Sequence, residues 1–249
     1  MRITISTRFQ IAKSYIEQIP LLFEQNGEEI FRKRNVVKRM KTPYGEWIVK
    51  RYKRPHLFQR FAYTFWRKSK ALRAFLFASR LRELDVTTPE EVACIEIFKN
   101  GLFYEGYFIS LPCEWPALSD KMVWEREEFD HRLADAVASF FFVLHQKGIL
   151  HGDLNLDNIL CKEQENGVVD FSLIDTNRTR FVSNPTQAMC LSNLVRVSHH
   201  RKLLRYIVSS YARLRGWSET MCTEFVIKKL NQFEHRKATQ KRIKCFFKP

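Results

Sequence analysis

Three polar side chains in the second half of the chain have the types and the spacing that phosphoryl transfer requires. Asp153 and Asn158 lie five residues apart in the stretch HGDLNLDNIL at 151–160, and Asp175 follows seventeen residues after Asn158. One carboxylate can orient an acceptor hydroxyl and take its proton, while an amide oxygen and a second carboxylate can bind the metal that bridges the phosphates. We therefore expect Asp153 to be the catalytic base and Asn158 and Asp175 to bind Mg²⁺.

A second aspartate competes with Asp175 for the metal. Asp170-Phe171-Ser172 resembles the Asp-Phe-Gly triplet of protein kinases and lies at about the usual distance from Asn158. Asp170 precedes the apolar run at 171–174, however, whereas Asp175 ends it. Because a metal ligand should stand where a strand opens into a cleft, we assign the metal to Asp175 and regard Asp170 as a strand-start residue.

Residues 151–160 should form a catalytic loop, which the secondary-structure elements before and after it should position. The apolar run at 132–145 predicts a buried helix that leads into the loop, and Ile159-Leu160 predicts a strand that leaves it. Beyond the breaker at 183–185, apolar spacing predicts helices over about 188–248.

The N-terminal part of the chain has the alternation and turn signals of an antiparallel sheet. Strands are expected at 28–31, 36–40 and 46–52, and a hairpin through Asn100-Gly101 should join 92–98 to 102–110. Before them, 9–23 reads as a short amphipathic lead-in that ends near Pro20. Lys50 stands in the third strand, where a lysine would neutralise the α- and β-phosphates of ATP.

Two further segments are candidates for nucleotide binding. Lys33 and Arg34 lie in the first hairpin turn, which either covers the phosphates of ATP or is simply a solvated turn. No GxGxxG occurs there. Residues 111–114 read as a hinge, where the backbone of Leu111 and Cys113 would hold adenine.

A basic and aromatic stretch follows the third strand. Residues 50–82 contain eleven Lys or Arg and no Asp or Glu, with seven aromatic residues interleaved at 58–77. Residues 67–84 predict a helix whose body has no glutamate to pair with Lys50, since Glu83 lies at its far end. The stretch is either a solvated face with a core stripe or a patch that binds an anionic membrane through residues such as Arg60, Arg67, Lys68 and Lys70.

Composition narrows the kinds of partner. The formal charge of +15 over 249 residues favours anionic partners, but by itself it does not choose among nucleic acid, membrane and phosphorylated substrate. The six cysteines have no zinc-ligand spacing and predict reduced thiols in a cytosolic protein. Residues 1–23 carry no signal-peptide pattern, and no apolar run is long enough to span a bilayer.

Together these patterns predict an α+β protein with a two-lobed, protein-kinase-like fold. Residues 1–110 should form an N-lobe, a small antiparallel sheet with one helix, that covers the nucleotide. Residues 111–249 should form a mainly helical C-lobe with the catalytic loop and the metal site.

Five segments carry a more particular resemblance: KRY at 50–52, RKSKA at 67–71, Thr88-Pro89, the loop at 151–160 and LIDTNR at 173–178. Together they resemble the bacterial lipopolysaccharide core kinases, the Kdo and heptose kinases of the Kdo/WaaP type, over roughly 27–200. The resemblance implies ATP with Mg²⁺ and phosphorylation of an inner-core sugar at the cytoplasmic face of the inner membrane. It assigns ATP phosphate to Lys50, catalysis to Asp153 and metal to Asn158 and Asp175.

The implied acceptor gives the basic surface a physical reason. Kdo carries a carboxylate and lipid A carries phosphates, so a basic patch with aromatic edges would concentrate the enzyme on this anionic glycolipid. The inner-membrane surface is then the expected peripheral binding site. No nucleic-acid partner is expected, because no RNA or DNA module is visible.

Other functions compete with this one. A protein kinase or an aminoglycoside-type phosphotransferase would use the same loop, and a pseudokinase scaffold would keep the fold without activity. Gly152 follows His151, where regulated protein kinases carry an arginine that binds an activation-segment phosphate. The absence of this arginine favours a kinase of small molecules or glycans. The presence of every expected base and metal residue disfavours a scaffold.

Overall fold

The computed structural model describes residues 1–122 and 128–246, and the chain in it forms two compact units. The first unit comprises Met1–Glu114 and Ser172–Arg178, and the second comprises Trp115–Phe171 and Thr179–Pro249. The segment Ser172–Arg178 thus packs with the N-terminal residues, although it lies beyond the boundary expected between 110 and 111. The functional division into lobes at that boundary stays a prediction.

The predicted helical region at 188–248 extends beyond the described residues, which end at 246. No helix in the described ranges combines the length and the apolar character needed to cross a membrane.

An antiparallel sheet of six strands forms the body of the first unit. Its strands are β1 (Arg2–Ile5), β2 (Glu28–Arg32), β3 (Val36–Thr42), β4 (Gly45–Arg51), β5 (Glu91–Lys99) and β6 (Leu102–Ser110). Their order across the sheet is β1-β5-β6-β4-β3-β2. The five strands expected from the sequence are confirmed within a residue or two, and β1 is an addition at the edge beside β5.

The hairpin between β5 and β6 confirms the turn that the sequence predicted. Asn100 and Gly101 both have positive φ, +52° and +74°. Consecutive residues with positive φ match the right-handed twist of the strands they join, and Asn-Gly is the favoured pair for this turn.

Three α-helices accompany the sheet in residues 1–114, where one was expected: α1 (Lys13–Gln25), α2 (Leu57–Phe65) and α3 (Lys70–Glu83). The prediction that the lead-in ends near Pro20 was wrong, because α1 continues to Gln25 with Pro20 inside it. Proline removes one helical hydrogen bond. Ile16, Ile19 and Phe23, which lie on one helical face, are fully buried against the sheet, and this burial offsets the loss.

Successive side chains of a strand point to opposite faces of the sheet. Here each face packs against a different helix. In β4, Trp47 and Val49 belong to the core that contains α1. Tyr52, just past β4, belongs to the core that contains α3, and the ammonium of Lys50 lies 5.3 Å from its ring centre. Lys50 therefore emerges from β4 on the face that α3 covers.

The second unit is mainly helical in its described residues. Its helices are α4 (Leu118–Met122), α5 (His131–Gln146), α6 (Gln187–Leu194), α7 (Arg201–Leu214) and α8 (Glu219–Phe246). Its short strands are β7 (Ile149–Leu150), β8 (Ile159–Glu163), β9 (Val169–Leu173), which runs on into the first unit at Ser172, and β10 (Arg180–Phe181). β7 pairs with β10, and β8 pairs with β9.

Helix α5 confirms the predicted helix before the catalytic loop. Asp130 caps its N-terminus by accepting a hydrogen bond from the Leu133 N–H at 2.9 Å. Its apolar face is buried, and α7 packs against it. The Ser210 hydroxyl and the Tyr206 hydroxyl of α7 both donate to the carboxylate of Asp135, at 2.7 and 3.0 Å. A rigid helix thus delivers the chain to the loop.

Gly148 is the turn that joins α5 to β7. Its φ is +73°, and a Cβ at this position would collide with the backbone carbonyl oxygen of Val182. The Val182 N–H donates to the Gly148 carbonyl at 2.8 Å, which fixes that close approach. Only glycine satisfies both the conformation and the contact.

We expect Gly148→Ala to destabilise the protein more than Gly216→Ala. Gly216 also has positive φ, +67°, but a Cβ there meets nothing within 4 Å, so alanine costs only the left-handed conformation, about 1–2 kcal/mol. Gly148→Ala adds a clash with backbone. Urea denaturation of both variants measures the difference, and equal losses of stability would contradict the steric argument.

Candidate active site

Two of the predicted site residues, Lys50 and Asp175, meet in the first unit. Lys50 Nζ lies 2.6 Å from Asp175 Oδ1, although the two residues are 125 positions apart. Both side chains are largely buried, with 17% and 30% of their surfaces exposed. Water therefore screens this ion pair less than a surface pair.

The backbone before Asp175 is fixed on both sides of Leu173. The Leu173 N–H donates to the Thr87 carbonyl at 2.9 Å, and the Thr88 hydroxyl donates to the Leu173 carbonyl at 2.7 Å. Asp175 itself has φ of +55°, an uncommon conformation for a residue with a side chain. Such strain persists only where surrounding contacts impose it, and it concentrates at functional sites.

Asn177 is a site residue that the sequence analysis did not assign. Its amide nitrogen donates to Asp175 Oδ1 at 2.6 Å, so Lys50 and Asn177 hold the same carboxylate oxygen. An amide two residues after an aspartate is a local signal that could have identified it.

The structure also shows what Lys50 pairs with in place of a helix glutamate. The acidic residue at the end of α3, Glu83, accepts from Arg80 at 2.8 Å. Lys50 instead pairs with Asp175, and this pair fixes its ammonium beside the end of the apolar run at 171–174.

Cations gather around this pair. The pKa of Lys70 is lowered because burial disfavours its ammonium and because Arg34, Arg178 and Arg73 repel it, while the carboxylate of Asp175 partly offsets both effects. Arg34, one of the predicted phosphate-binding residues, is thus close enough to act on Lys70. The positive field favours an anionic ligand in this part of the first unit.

The other predicted nucleotide-binding residues lie at two places in the first unit. Lys33 lies in the turn between β2 and β3, with its ammonium 5.6 Å from the Phe31 ring centre. The Leu111 N–H donates to the Glu90 carbonyl at 2.9 Å. That donor is engaged within the unit, so the Leu111 carbonyl and the Cys113 backbone remain the groups predicted to bind adenine.

In the second unit, Asp153 and Asn158 are held by one another's backbone and amide groups. Asn158 Nδ2 donates to the Asp153 carbonyl at 2.9 Å, and the Asn158 N–H donates to Asn155 Oδ1 at 3.1 Å. A 3₁₀ turn over Leu156–Asn158 closes the loop. Because its nitrogen is engaged, Asn158 retains its amide oxygen for a cation.

Arg196 is the main residue that sequence reasoning missed in the second unit. Its guanidinium nitrogen lies 2.7 Å from Asp153 Oδ1, and its charged end lies 5.1 Å from the Phe233 ring centre. It lies beside a cavity of about 200 Å³ that borders Asp153. Asp153 and Arg196 are 43 positions apart in the sequence, and no local pattern could have linked them.

Asp170, the rejected metal candidate, is part of a hairpin. It lies in β9, and its carboxylate accepts from Gln164 Nε2 at 2.7 Å. This agrees with its interpretation as a strand-start residue.

Asp175 in the first unit and Asn158 in the second each offer a hard oxygen ligand of the kind that Mg²⁺ prefers. Within the described residues, no group of three or more His, Cys, Asp or Glu could hold a metal ion.

A buried chain of hydrogen bonds supports the wall of the cavity beside Asp153. Arg215 Nε donates to the Tyr211 hydroxyl at 3.0 Å, and that hydroxyl lies 2.8 Å from His145 Nδ1. His145 Nε2 lies 3.1 Å from Asn193 Oδ1 in the cavity wall. Burial lowers the pKa of His145 to about 4, so its ring is neutral near pH 7, and with Nε2 donating to the amide oxygen Nδ1 accepts from the Tyr211 hydroxyl.

The chain has a protein-kinase-like fold. A solved structure of WaaP in complex with acyl carrier protein matches it with a TM-score of 0.60 and 16% identity, over 93% of this chain and 99% of that one. The sequence model of the lipopolysaccharide kinase (Kdo/WaaP) family matches residues 32–226, more than three quarters of the chain. The chain belongs to that family, and the predicted fold class and family are confirmed.

Two curated relatives are kinases of one sugar. The chain is 25% identical over 130 residues to a 3-deoxy-D-manno-octulosonic acid (Kdo) kinase of Vibrio cholerae, covering 49% of this chain and 54% of that protein. It is 28% identical over 109 residues to a kinase of the same name from Vibrio vulnificus, covering 43% and 44%. The chain thus spans about half the length of the curated relatives it matches.

We expect the burial of His145 to lower the free energy of unfolding at acidic pH. Burial, reinforced by the charge of Arg215, lowers the pKa of His145 from 6.5 to about 4, while the Asn193 hydrogen bond partly opposes the shift. The unfolded chain binds this proton more readily, so stability falls as pH drops from about 6.5 to about 4, by up to about 3 kcal/mol.

Urea denaturation between pH 7.5 and 4.5 tests this expectation. His145→Gln should be less stable than wild type at pH 7.5, and the difference should shrink as pH falls. His199→Gln is the control, because His199 is exposed and pairs with Glu234 at the surface. A difference between wild type and His145→Gln that stays constant with pH would contradict the role assigned to burial.

Proposed function

We propose that this protein is an ATP-dependent kinase that phosphorylates a hydroxyl of Kdo, or of heptose, in the inner core of lipopolysaccharide. The observation that carries the proposal is the 2.6 Å contact between Lys50 and Asp175 in a chain of this family. Kdo is favoured over heptose because both curated relatives are Kdo kinases.

Each proposed site residue has one task. Lys50 binds the α- and β-phosphates of ATP, and Asp153 orients the acceptor hydroxyl and takes its proton. Asn158 and Asp175 bind Mg²⁺, which when bound neutralises charge on the phosphates.

The proposal also includes residues that cover the nucleotide. Arg34 joins Lys50 in binding phosphate, as does Lys33 from the same turn. The backbone of Leu111 and Cys113 binds adenine.

The ion pair between Lys50 and Asp175 brings together two largely buried charges. The two charges neutralise one another, so neither is buried alone. Phosphate oxygens of ATP would take the ammonium of Lys50, and the carboxylate of Asp175 would then be available to hold Mg²⁺. Asn177 keeps that carboxylate in place during the exchange, because it donates to the same oxygen as Lys50 does.

A membrane-facing surface fits a glycolipid acceptor. Helix α2 has no buried residue, and Phe58 and Trp66 are 90% and 82% exposed. The exposed cations Arg67 and Lys68 follow it directly. We propose that this surface, here called the α2 patch, binds the cytoplasmic face of the inner membrane peripherally.

Two residues expected in the patch are engaged elsewhere. Arg60 Nε donates to the Phe103 carbonyl at 2.8 Å, which fastens α2 to β6. Lys70 is half-buried near Asp175 rather than displayed at the surface. The patch therefore depends on its aromatic residues and on Arg67 and Lys68.

Phosphate transfer from labelled ATP to purified Kdo–lipid A tests the activity. We expect wild type to label the glycolipid in a Mg²⁺-dependent reaction, and Asp153→Asn and Asp175→Asn to lose at least about a hundredfold in kcat, since each removes a group that acts in the transition state. Mass spectrometry of the product locates the phosphate on its sugar.

Asp170→Asn is the matched control, because it makes the same change five residues from Asp175. It should keep kcat within about twofold and affect mainly stability. The reverse pattern would move the metal site to Asp170. Labelling of a protein substrate or of a soluble aminosugar, with the glycolipid unlabelled, would assign a different kinase class.

Vesicle flotation tests the α2 patch. We expect Phe58→Ser with Trp66→Ser, and separately Arg67→Gln with Lys68→Gln, to weaken binding to anionic phosphatidylglycerol vesicles by about tenfold or more. Only the second pair should also reduce the sensitivity of binding to salt. ATP binding should be unchanged in both.

The control is Ile11→Ser with Leu21→Ser, which changes two residues that are 80% and 74% exposed outside α2. It should bind vesicles as wild type does. A solved relative is a complex of WaaP with acyl carrier protein. If the α2 variants lost binding to acyl carrier protein and kept binding to vesicles, the patch would be a protein-docking surface instead.

A further inference from the structure

The cavity beside Asp153 has the composition of an anion-binding pocket. Its lining includes two arginines, Arg180 and Arg196, and one carboxylate, Asp153, so its charged groups sum to a positive charge. Ser192 and Asn193 add polar groups, and Met189 supplies an apolar wall. None of these residues except Asp153 has a role in the function proposed above.

Helix α6, strand β10 and the loop at 152–154 line the pocket in the second unit. Met189, Ser192 and Asn193 lie at i, i+3 and i+4 on α6 and therefore share one helical face. Arg180 stands in β10 directly opposite Leu150 of β7, the strand that leads into the catalytic loop.

Two of the lining side chains are held in place before any ligand arrives. Asn193 is fixed by its 3.1 Å hydrogen bond with the buried His145. Arg196 is fixed by the Asp153 carboxylate at 2.7 Å and by the Phe233 ring. Such preorganisation reduces the ordering cost of binding a ligand.

Arg196 can serve two anions at once. A guanidinium has five N–H donors in a rigid fork, and contact with one oxygen of Asp153 leaves donors that can bind a carboxylate or a phosphate. An anion held on this fork lies next to the carboxylate that must reach the acceptor hydroxyl. The cavity, about 200 Å³, is smaller than the pockets that enclose drug-sized ligands, about 300–1,000 Å³, and suits one sugar ring.

We propose that this pocket is the acceptor subsite and that Arg196 and Arg180 bind an anionic group of the acceptor, a carboxylate or a phosphate ester. The inference rests on the proposed function and adds to it the residues that select an acidic acceptor. Arg180 and Arg196 are specificity-determining residues, and Arg196 also positions Asp153.

In this arrangement the anion anchors the sugar while its hydroxyl meets Asp153. The hydroxyl oxygen forms a bond to the γ-phosphorus of ATP, and the bond from that phosphorus to the bridging oxygen of ADP breaks. ADP leaves with the electron pair, and the hydroxyl proton passes to Asp153.

Steady-state kinetics on three forms of Kdo–lipid A test the proposal: the intact glycolipid, one with the Kdo carboxyl reduced to an alcohol, and one with the lipid phosphates removed. With intact glycolipid, Arg180→Gln and Arg196→Gln should raise the acceptor KM by about tenfold or more and leave the KM for ATP unchanged. Arg196→Gln should also lower kcat, and Arg196→Lys should restore part of both losses. Arg205→Gln, an exposed arginine of α7, is the control and should resemble wild type.

The altered acceptors identify the anion. If it is the carboxylate, wild type loses about tenfold on the reduced acceptor, and Arg180→Gln adds no further loss there; if it is a phosphate, the dephosphorylated acceptor behaves in this way. The proposal is overturned if Arg180→Gln and Arg196→Gln have the acceptor KM of Arg205→Gln.

Calorimetry separates a failure of the pocket from a failure of the proposed function. If wild type transfers phosphate to none of the acceptors, the proposed function fails, and free Kdo and inorganic phosphate are then titrated into wild type, Arg180→Gln and Arg205→Gln. Binding weakened only in Arg180→Gln supports the pocket. Binding of neither ligand by wild type, or equal binding by all three proteins, overturns it.

Discussion

The pairing of Lys50 with Asp175 is the interaction on which the first unit depends. A largely buried ammonium or carboxylate is costly unless an opposite charge meets it, so the two must be delivered to one place. Alternation along β4 sends Lys50 to the face that α3 covers. The hydrogen bonds of Thr87 and Thr88 to Leu173 bring Asp175 there from far along the chain. The sheet, α3 and the Thr88-Pro89 segment are thus constrained by one ion pair.

The second unit positions its functional groups by different means. Asp153 is placed by backbone and amide hydrogen bonds within its own loop, and Arg196 holds its carboxylate from outside. Behind the cavity wall, hydrogen bonds from Tyr211 through His145 hold Asn193, and the Tyr211 hydroxyl can donate to His145 only while that ring is uncharged. Local hydrogen bonding sets the loop, whereas long-range contacts set its surroundings.

The features that could be predicted from the sequence were those whose signals lie within a few neighbouring residues. The hairpin at Asn100-Gly101, the strands around it and helix α5 were predicted correctly because turn chemistry and periodicity act over a few residues. The end of α1 was placed too early because the local cost of Pro20 was outweighed by burial of Ile16, Ile19 and Phe23 on the sheet. Among site residues, Asn177 had a local signal that was overlooked, whereas Arg196 had none.

The sequence by itself determined the family and the candidate residues for its chemistry: the order of Asp153, Asn158 and Asp175, a lysine at position 50 and a strongly positive net charge. These are facts about residue types at fixed spacings, which a linear chain displays directly. Only the tertiary structure decided which charged side chains form ion pairs with one another. It gave Lys50 the carboxylate of Asp175 in the absence of a helix glutamate, withdrew Lys70 from the surface and brought Arg196 to Asp153. Such choices depend on burial and on contacts between distant segments, since the free energy of a charge is set by its surroundings and not by its neighbours in sequence.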